Sequence, residues 1–87
     1  MARYSLRIKE SAAKELEAVS RKSDRQRIVR RVQALGDNPR PIGSETLAGY
    51  KDRYRIRQGA YRVVYAVDDT SRVVEVVRVG HRREVYR

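Results

Sequence analysis

The segment RYRIRQGAYRVVYAV, residues 53–67, decides the fold. Its two halves alternate polar and apolar residues and are separated by the glycine-containing break at 58–60. Such alternation is typical of strands with one buried face, and the break indicates a β-hairpin. A third run, 72–79, follows turn residues 68–71 and is nearly all apolar, which favours an interior strand. The sequence therefore predicts an antiparallel three-strand meander.

The residues upstream predict one strand and two helices. Residues 4–8 alternate as a short strand. Apolar residues at helical spacing then predict a helix over 13–20, with Ser11 as its N-cap, and a second helix over 24–35, with Asp24 as its N-cap. A tight connection between two such helices is typical of a helical hairpin.

The connection from the second helix to the meander is predicted to be irregular. It spans 40–49, and Leu47 is the residue expected to anchor it to the core. The predicted order is β-α-α-β-β-β, with residues 1–87 forming a single α+β domain. The helices are expected to cover one face of the sheet and to leave the other face open.

Strand periodicity predicts which side chains share the open face. Side chains alternate between the two faces of a strand, so one set is expected to face the helices: Tyr54, Ile56, Tyr61, Val63 and Tyr65. Arg55, Arg57 and Arg62 then converge on the opposite face from two neighbouring strands. This cluster favours a phosphate-binding site, and the alternative is a set of solvated arginines on the sheet surface.

Composition favours a polyanionic partner and excludes several chemistries. The 87 residues carry 21 Lys and Arg against 11 Asp and Glu, giving a net charge of +10. A field of that size attracts nucleic acid or an acidic protein. The single histidine, His81, excludes a two-histidine ribonuclease mechanism and a multi-histidine metal site, and no cofactor is expected.

Cysteine usage and hydropathy point to the cytoplasm. The chain has no cysteine, so no disulfide framework is possible. Its start lacks the apolar segment of a signal peptide, and no apolar run approaches the roughly 20 residues of a membrane span. We therefore expect a cytoplasmic protein with no membrane partner.

The C-terminal residues add two candidates to the arginine cluster. If the third strand of the meander runs through the middle of the sheet and is broken at Gly80, its end brings Arg82 and Tyr86 beside the cluster. Tyr86 has two alternative interpretations, which are packing in the core and fraying with the terminus.

Together these segments resemble the RelE/ParE toxin superfamily of toxin–antitoxin systems. The most specific marks are YRVVY at 61–65 and VGHRREVY at 79–86, and the β-α-α order upstream also fits. The superfamily has a RelE-like branch of ribosome-dependent mRNA interferases and a ParE-like branch of DNA gyrase inhibitors. The resemblance implies a small toxin of one of these two kinds.

The resemblance to the RelE-like branch implies a catalytic set. Arg55 and Arg57 match two basic positions of that branch, which are lysines in its best-known members. Arg62, Arg82 and Tyr86 match its remaining catalytic positions. The replacement of lysine by arginine removes an amine that could act as a base, because arginine stays protonated. His81 is a further possible catalytic residue, since histidine titrates near neutral pH.

The same resemblance implies the partners. These are a cognate RelB-like antitoxin, the ribosome and its mRNA, with DNA reached only indirectly through the antitoxin. Five arginines are the residues expected to bind RNA outside the catalytic set: Arg25, Arg27, Arg30, Arg31 and Arg53. For the four arginines in the predicted helix, the alternative interpretation is that they form a solvated helix face without binding RNA. The competing functions are gyrase inhibition, RNA binding without catalysis, and a toxin whose site has decayed.

Overall fold

The computed structural model describes residues 3–81 and shows two helices and a five-stranded mixed sheet. In chain order the elements are β1 (Ser5–Ile8), α1 (Glu10–Glu17), α2 (Lys22–Ala34), β2 (Glu45–Thr46), β3 (Arg53–Gln58), β4 (Tyr61–Asp68) and β5 (Val73–His81). The spatial order is β1-β5-β4-β3-β2, with β1 parallel to β5 and every other pair antiparallel. The predicted α+β class and the meander are confirmed. Neither helix of residues 3–81 is long and apolar enough to cross a membrane.

Both helices begin earlier than predicted. Lys9 and Arg21 occupy the N-cap positions, and neither side chain makes a capping hydrogen bond, so the predicted caps at Ser11 and Asp24 are wrong. The Lys9 amide donates to the Val76 carbonyl at 2.9 Å, which extends the β1 pairing to the start of α1. Asp24 lies in the first turn of α2, where its negative charge interacts favourably with the positive end of the helix dipole.

Two further details of the sheet differ from the prediction. The connection contains the two-residue strand β2, which pairs Glu45 with Arg55. Strand β5 does not break at Gly80, because pairing with β4 continues to His81. Beyond Val76, where β1 ends, the Val79 amide donates instead to the Glu15 carboxylate of α1 at 2.9 Å.

The core lies between the helices and one face of the sheet. Buried helical residues such as Ile28 and Leu35 pack against Ile56, Val63 and Tyr65. Tyr54 and Tyr61 are partly buried against the same cluster. The predicted inward-facing set is thereby confirmed. Truncating a buried aliphatic side chain of this kind lowers the free energy of unfolding by about 2–5 kcal/mol.

A polar network fastens the connection after α2 to the sheet. The buried Tyr65 hydroxyl donates to the Pro39 carbonyl at 2.7 Å, and burial raises the pKa of Tyr65 to about 12, which keeps it a donor. Arg40 donates to both carboxylate oxygens of Asp69 at 2.7 and 3.2 Å and to the Tyr54 hydroxyl at 2.9 Å. The Tyr4 hydroxyl also donates to Asp69 at 2.6 Å. One carboxylate thus holds three segments together.

This network makes stability depend on pH through Asp69. The hydrogen bond from Arg40, followed by that from Tyr4, lowers the pKa of Asp69 below its ordinary value. A lowered pKa stabilises the fold above the unfolded-state pKa of about 3.9, and this contribution disappears as the pH falls through the folded-state value. We expect the urea midpoint of the wild type to fall more steeply below about pH 4 than that of Asp69→Asn. Parallel acid profiles would show that Asp69 contributes nothing.

Candidate active site

The β3–β4 hairpin places three arginines on the face opposite the helices. Gln58 pairs with Tyr61, so the loop has two residues, and Gly59 adopts a φ of 60° at its first position, as a type II′ turn requires. In this register Arg57 pairs with Arg62 and Arg55 pairs with Val64. The predicted convergence of the three side chains on one face is therefore observed.

The three arginines differ in exposure. Arg57 is exposed and Arg55 is half-buried, whereas Arg62 is only 8% exposed and the adjacent Val64 only 6%. The prediction of a fully open face is therefore wrong at Arg62 and Val64. Arg57 at the edge of the cluster is the member most accessible to a ligand.

Glu45 is a site residue that sequence reasoning missed. Its carboxylate oxygen lies 3.3 Å from Nε of Arg55, across the β2–β3 pairing. This ion pair through Nε restricts where the Arg55 guanidinium points. Only the short strand β2 reveals this contact, and a two-residue strand carries no periodicity that a sequence pattern could detect.

Arg53 extends the row of arginines along β3. It shares the face of Arg55 and Arg57 by the period of the strand, and it pairs with Ala66. Its guanidinium carbon lies 4.6 Å from the ring centroid of Tyr50, a cation–π contact. Tyr50 was not predicted as a site residue.

Carboxylates occupy the far part of the same face. Asp52, Asp68 and Glu75 line a depression of about 350 Å³ together with Ala66 and Arg7. Ala66 pairs with both Arg53 and Glu75, which places the depression beside the β3 row. The face is therefore positive along β3 and at Arg62, and it is mixed in charge toward β1.

His81 lies on the helix-covered side of the sheet. It pairs with Tyr61, and their rings meet edge to face with centroids 5.9 Å apart. Glu15 and Val19 of the α1 side line the same cavity. The structure therefore does not bring His81 together with Arg55, Arg57 and Arg62.

The helical arginines have different surroundings. Arg25 is half-buried, and its Nη1 donates to the Val19 carbonyl and to the Ser20 carbonyl, the latter at 3.3 Å. Arg27 and Arg30 are exposed, and Arg31 is half-buried. Arg25 thus stabilises the connection between the helices, and Arg27 and Arg30 are the members of this group that are open to solvent.

Two predicted catalytic residues, Arg82 and Tyr86, lie outside the described residues. Within 3–81, no group of three or more histidine, aspartate or glutamate side chains is arranged to hold a metal ion. The chemistry of the described site is therefore that of guanidinium groups beside one carboxylate.

Comparison with known proteins identifies the class. Residues 6–86 match the family described as ParE toxin of type II toxin-antitoxin system, parDE. A putative RelE-like toxin protein of Escherichia coli is 37% identical over 82 residues, which cover 92% of this chain and 84% of that protein.

Solved structures agree with this class. The isolated Escherichia coli RelE toxin superposes with a TM-score of 0.79 at 33% identity, covering 95% of this chain and 90% of that one. A chain of the intact Escherichia coli RelBE toxin-antitoxin complex gives a TM-score of 0.78 at 31% identity, covering 90% and 95%. The chain therefore belongs to the RelE/ParE family of type II toxins, and its relatives place it among the RelE-like members.

The position of Arg25 predicts a stabilising role. Arg25→Ala removes charge-assisted hydrogen bonds to two backbone carbonyls, so we expect the free energy of unfolding to fall by about 1–2 kcal/mol. Arg27→Ala is the matched control on the exposed face of the same helix and should change stability by less than about 0.5 kcal/mol. Urea denaturation of both variants measures the difference, and equal losses would contradict the assignment.

Proposed function

We propose that this protein is a ribosome-dependent endoribonuclease that cleaves mRNA in the ribosomal A site without a metal ion and so inhibits translation. The observation that carries the proposal is the pairing of Arg57 with Arg62 and the presence of Arg55 on the same face. Membership in the RelE-like group supports the reaction type. The charge of +10 supports an RNA-rich target.

The proposed reaction is an attack by an RNA 2′-oxygen on the adjacent phosphorus. The 2′-O–P bond forms and the P–5′-O bond breaks, leaving a 2′,3′-cyclic phosphate and a 5′-hydroxyl. The 2′-hydroxyl loses a proton and the 5′-oxygen gains one. The pentacoordinate phosphorus intermediate carries extra negative charge, and fixed cations at that point lower the barrier. Arg55, Arg57 and Arg62 supply those cations.

The arginine cluster lacks a side chain that readily transfers protons at neutral pH. Arginine stays protonated at neutral pH and is a poor proton carrier. We assign the base or a base-stacking role to Tyr86 and stabilisation of the 5′-oxygen to Arg82, on the sequence match to the RelE-like catalytic positions. A site so poor in acid–base groups requires the ribosome to hold the mRNA with the 2′-oxygen in line with the bond that breaks.

The burial of Arg62 adds a condition to the mechanism. Arg62 is only 8% exposed, so a phosphate reaches it less readily than it reaches a residue on the open surface. Arg57 and the half-buried Arg55 are reached first. We therefore expect RNA binding to begin at Arg57 and to reach Arg62 in the reactive complex.

The test is induction of the toxin in a bacterium, with primer extension on a translated message. The wild type should produce cuts inside translated codons. Arg57→Ala and Arg62→Ala should each reduce cleavage at least about 100-fold, because each removes a cation from the developing charge. Lys14→Ala, which removes an exposed cation of α1, is the matched control and should cleave normally.

Two outcomes would contradict the proposal. Because Arg62 is buried, its variant also needs a thermal melt, and the exposed Arg57 provides the decisive result if the Arg62 variant is unfolded. Unchanged cuts in a folded Arg57→Ala variant would remove the cluster from the mechanism. Gyrase-linked DNA breaks without mRNA cuts would select the ParE-like function instead.

We further propose a RelB-like antitoxin as the partner of this chain. The RelBE complex of a relative supports such a partner. Leu6 and Ile8 of β1 and Val29 of α2 are exposed apolar side chains that line one groove together with Arg7. An apolar groove bordered by the cationic Arg7 fits an acidic segment with apolar anchors.

We predict that a substitution in this groove weakens antitoxin binding without reducing toxicity. Ile8→Asp places a charge in the groove, so we expect a toxin that still arrests growth but binds the co-expressed antitoxin at least about 10-fold more weakly. The measurements are co-purification and rescue of growth. Ile42→Asp, at a fully exposed position outside the groove, is the control and should bind normally. Equal affinity of the two variants would place the antitoxin elsewhere.

A further inference from the structure

Tyr50 is an exposed aromatic residue at the end of the arginine row. Tyr50 is 55% exposed, whereas the other tyrosines within residues 3–81 are partly or fully buried. One side of its ring carries the Arg53 guanidinium at 4.6 Å from the centroid. The contact with Arg53 involves one face of the ring, and at 55% exposure a large part of Tyr50 remains open to solvent.

The backbone holds Tyr50 in a defined position. The Tyr50 amide donates to the Leu47 carbonyl at 3.3 Å, and Gly49 adopts a φ of 86°, as the third residue of a type II turn requires. The Leu47 amide donates to the Arg53 carbonyl at 2.9 Å, which closes the loop onto β3. The Asp52 carbonyl accepts a hydrogen bond from the Val67 amide of β4 at 2.9 Å. The loop is therefore tied to the sheet on both sides of Tyr50.

The row formed by Arg53, Arg55 and Arg57 has the geometry of a polynucleotide track. Alternate residues of a strand lie about 6.6–6.8 Å apart, which is comparable to the spacing of successive phosphates along an extended RNA strand. The row shares its face with carboxylates toward β1, so a phosphate backbone is repelled from that side and directed along β3. Followed from Arg57 to Arg53, this track ends at Tyr50.

Charge at the end of the track favours a base there over a phosphate. Asp52 is exposed next to the Tyr50–Arg53 pair and would repel a phosphate, but it does not repel a neutral nucleobase. Aromatic side chains beside a positive groove stack the bases of single-stranded nucleic acid.

We propose that Tyr50, held against Arg53, is the stacking platform for one base of the single-stranded RNA whose phosphates follow the β3 arginines. This proposal rests on the proposed RNA target and adds a binding site for a base near the scissile phosphate. Because stacking requires only an aromatic face, the site accepts any of the four bases and contributes affinity with little sequence preference.

The experiment measures binding of short 2′-O-methyl RNA oligonucleotides to the full chain. Their blocked 2′-oxygens prevent cleavage, so binding is read separately from catalysis. One set carries a single abasic site at each successive position. We expect Tyr50→Ala to weaken binding of the complete oligonucleotide about 10-fold, and Tyr50→Phe, which keeps the ring, to bind within about twofold of the wild type.

The abasic series identifies the stacked base. At one position, removal of the base should weaken wild-type binding about 10-fold, and Tyr50→Ala should then cause no further loss. A 2-aminopurine at that position should be quenched by the wild type and not by Tyr50→Ala. Ile42→Ala, on another exposed loop, should bind as the wild type does.

Two results would overturn the platform. One is a Tyr50→Ala variant that binds every oligonucleotide as tightly as Tyr50→Phe does. The other is an equal loss for Tyr50→Ala at every abasic position, which would indicate a structural defect. Neither result depends on cleavage, so failure of the stacking site is distinct from failure of the ribonuclease function, which would appear as absent mRNA cuts with the wild type.

Discussion

The register between β3 and β4 is the constraint on which the site depends. The two-residue loop at Gly59 sets this register, and it places Ile56 and Val63 in the core while Arg57 and Arg62 meet on the other face. A slip of one residue would put arginines under the helices and apolar side chains outside. The burial that stabilises the sheet therefore also brings the cations together. Fold and site are consequences of the same pairing.

Repulsion within the cluster is compensated locally. Like charges on paired residues destabilise a sheet, and Arg57 and Arg62 are directly paired. Glu45 offsets part of the local charge through Arg55. Both Glu45 and Tyr50 belong to the connection that the Tyr65–Pro39 hydrogen bond and the Arg40–Asp69 ion pair fasten to the sheet. The network beside the helices thus supports the segment that borders the arginines.

The sequence predicted the features that follow from strong periodicity. The meander and the shared face of Arg55, Arg57 and Arg62 follow from alternation over many residues, which few other structures satisfy. The helix starts were not predictable from side-chain caps, because backbone pairing at Lys9 determines where α1 begins.

Features that depend on tertiary contacts could not be predicted from the periodicity of the sequence. The burial of Arg62 depends on what surrounds it in three dimensions, and its charge alone suggested exposure. The position of His81 required knowing that β5 continues through Gly80, since a glycine is read as a break unless a neighbouring strand holds it. The hydrogen bond from Arg25 to the Val19 carbonyl depends on the path of the turn before α2, which the helical pattern does not specify.

The carboxylate of Glu15 has a consequence for assembly. Where β1 stops, the outer side of β5 would offer a free amide at Val79, and unpaired strand edges invite the addition of foreign strands. The Glu15 carboxylate of α1 accepts the hydrogen bond of that amide, so this stretch of the edge is no longer free to pair. The free edge on this side is thereby limited to the four residues Ser5–Ile8, and so short an edge discourages the stacking of further copies.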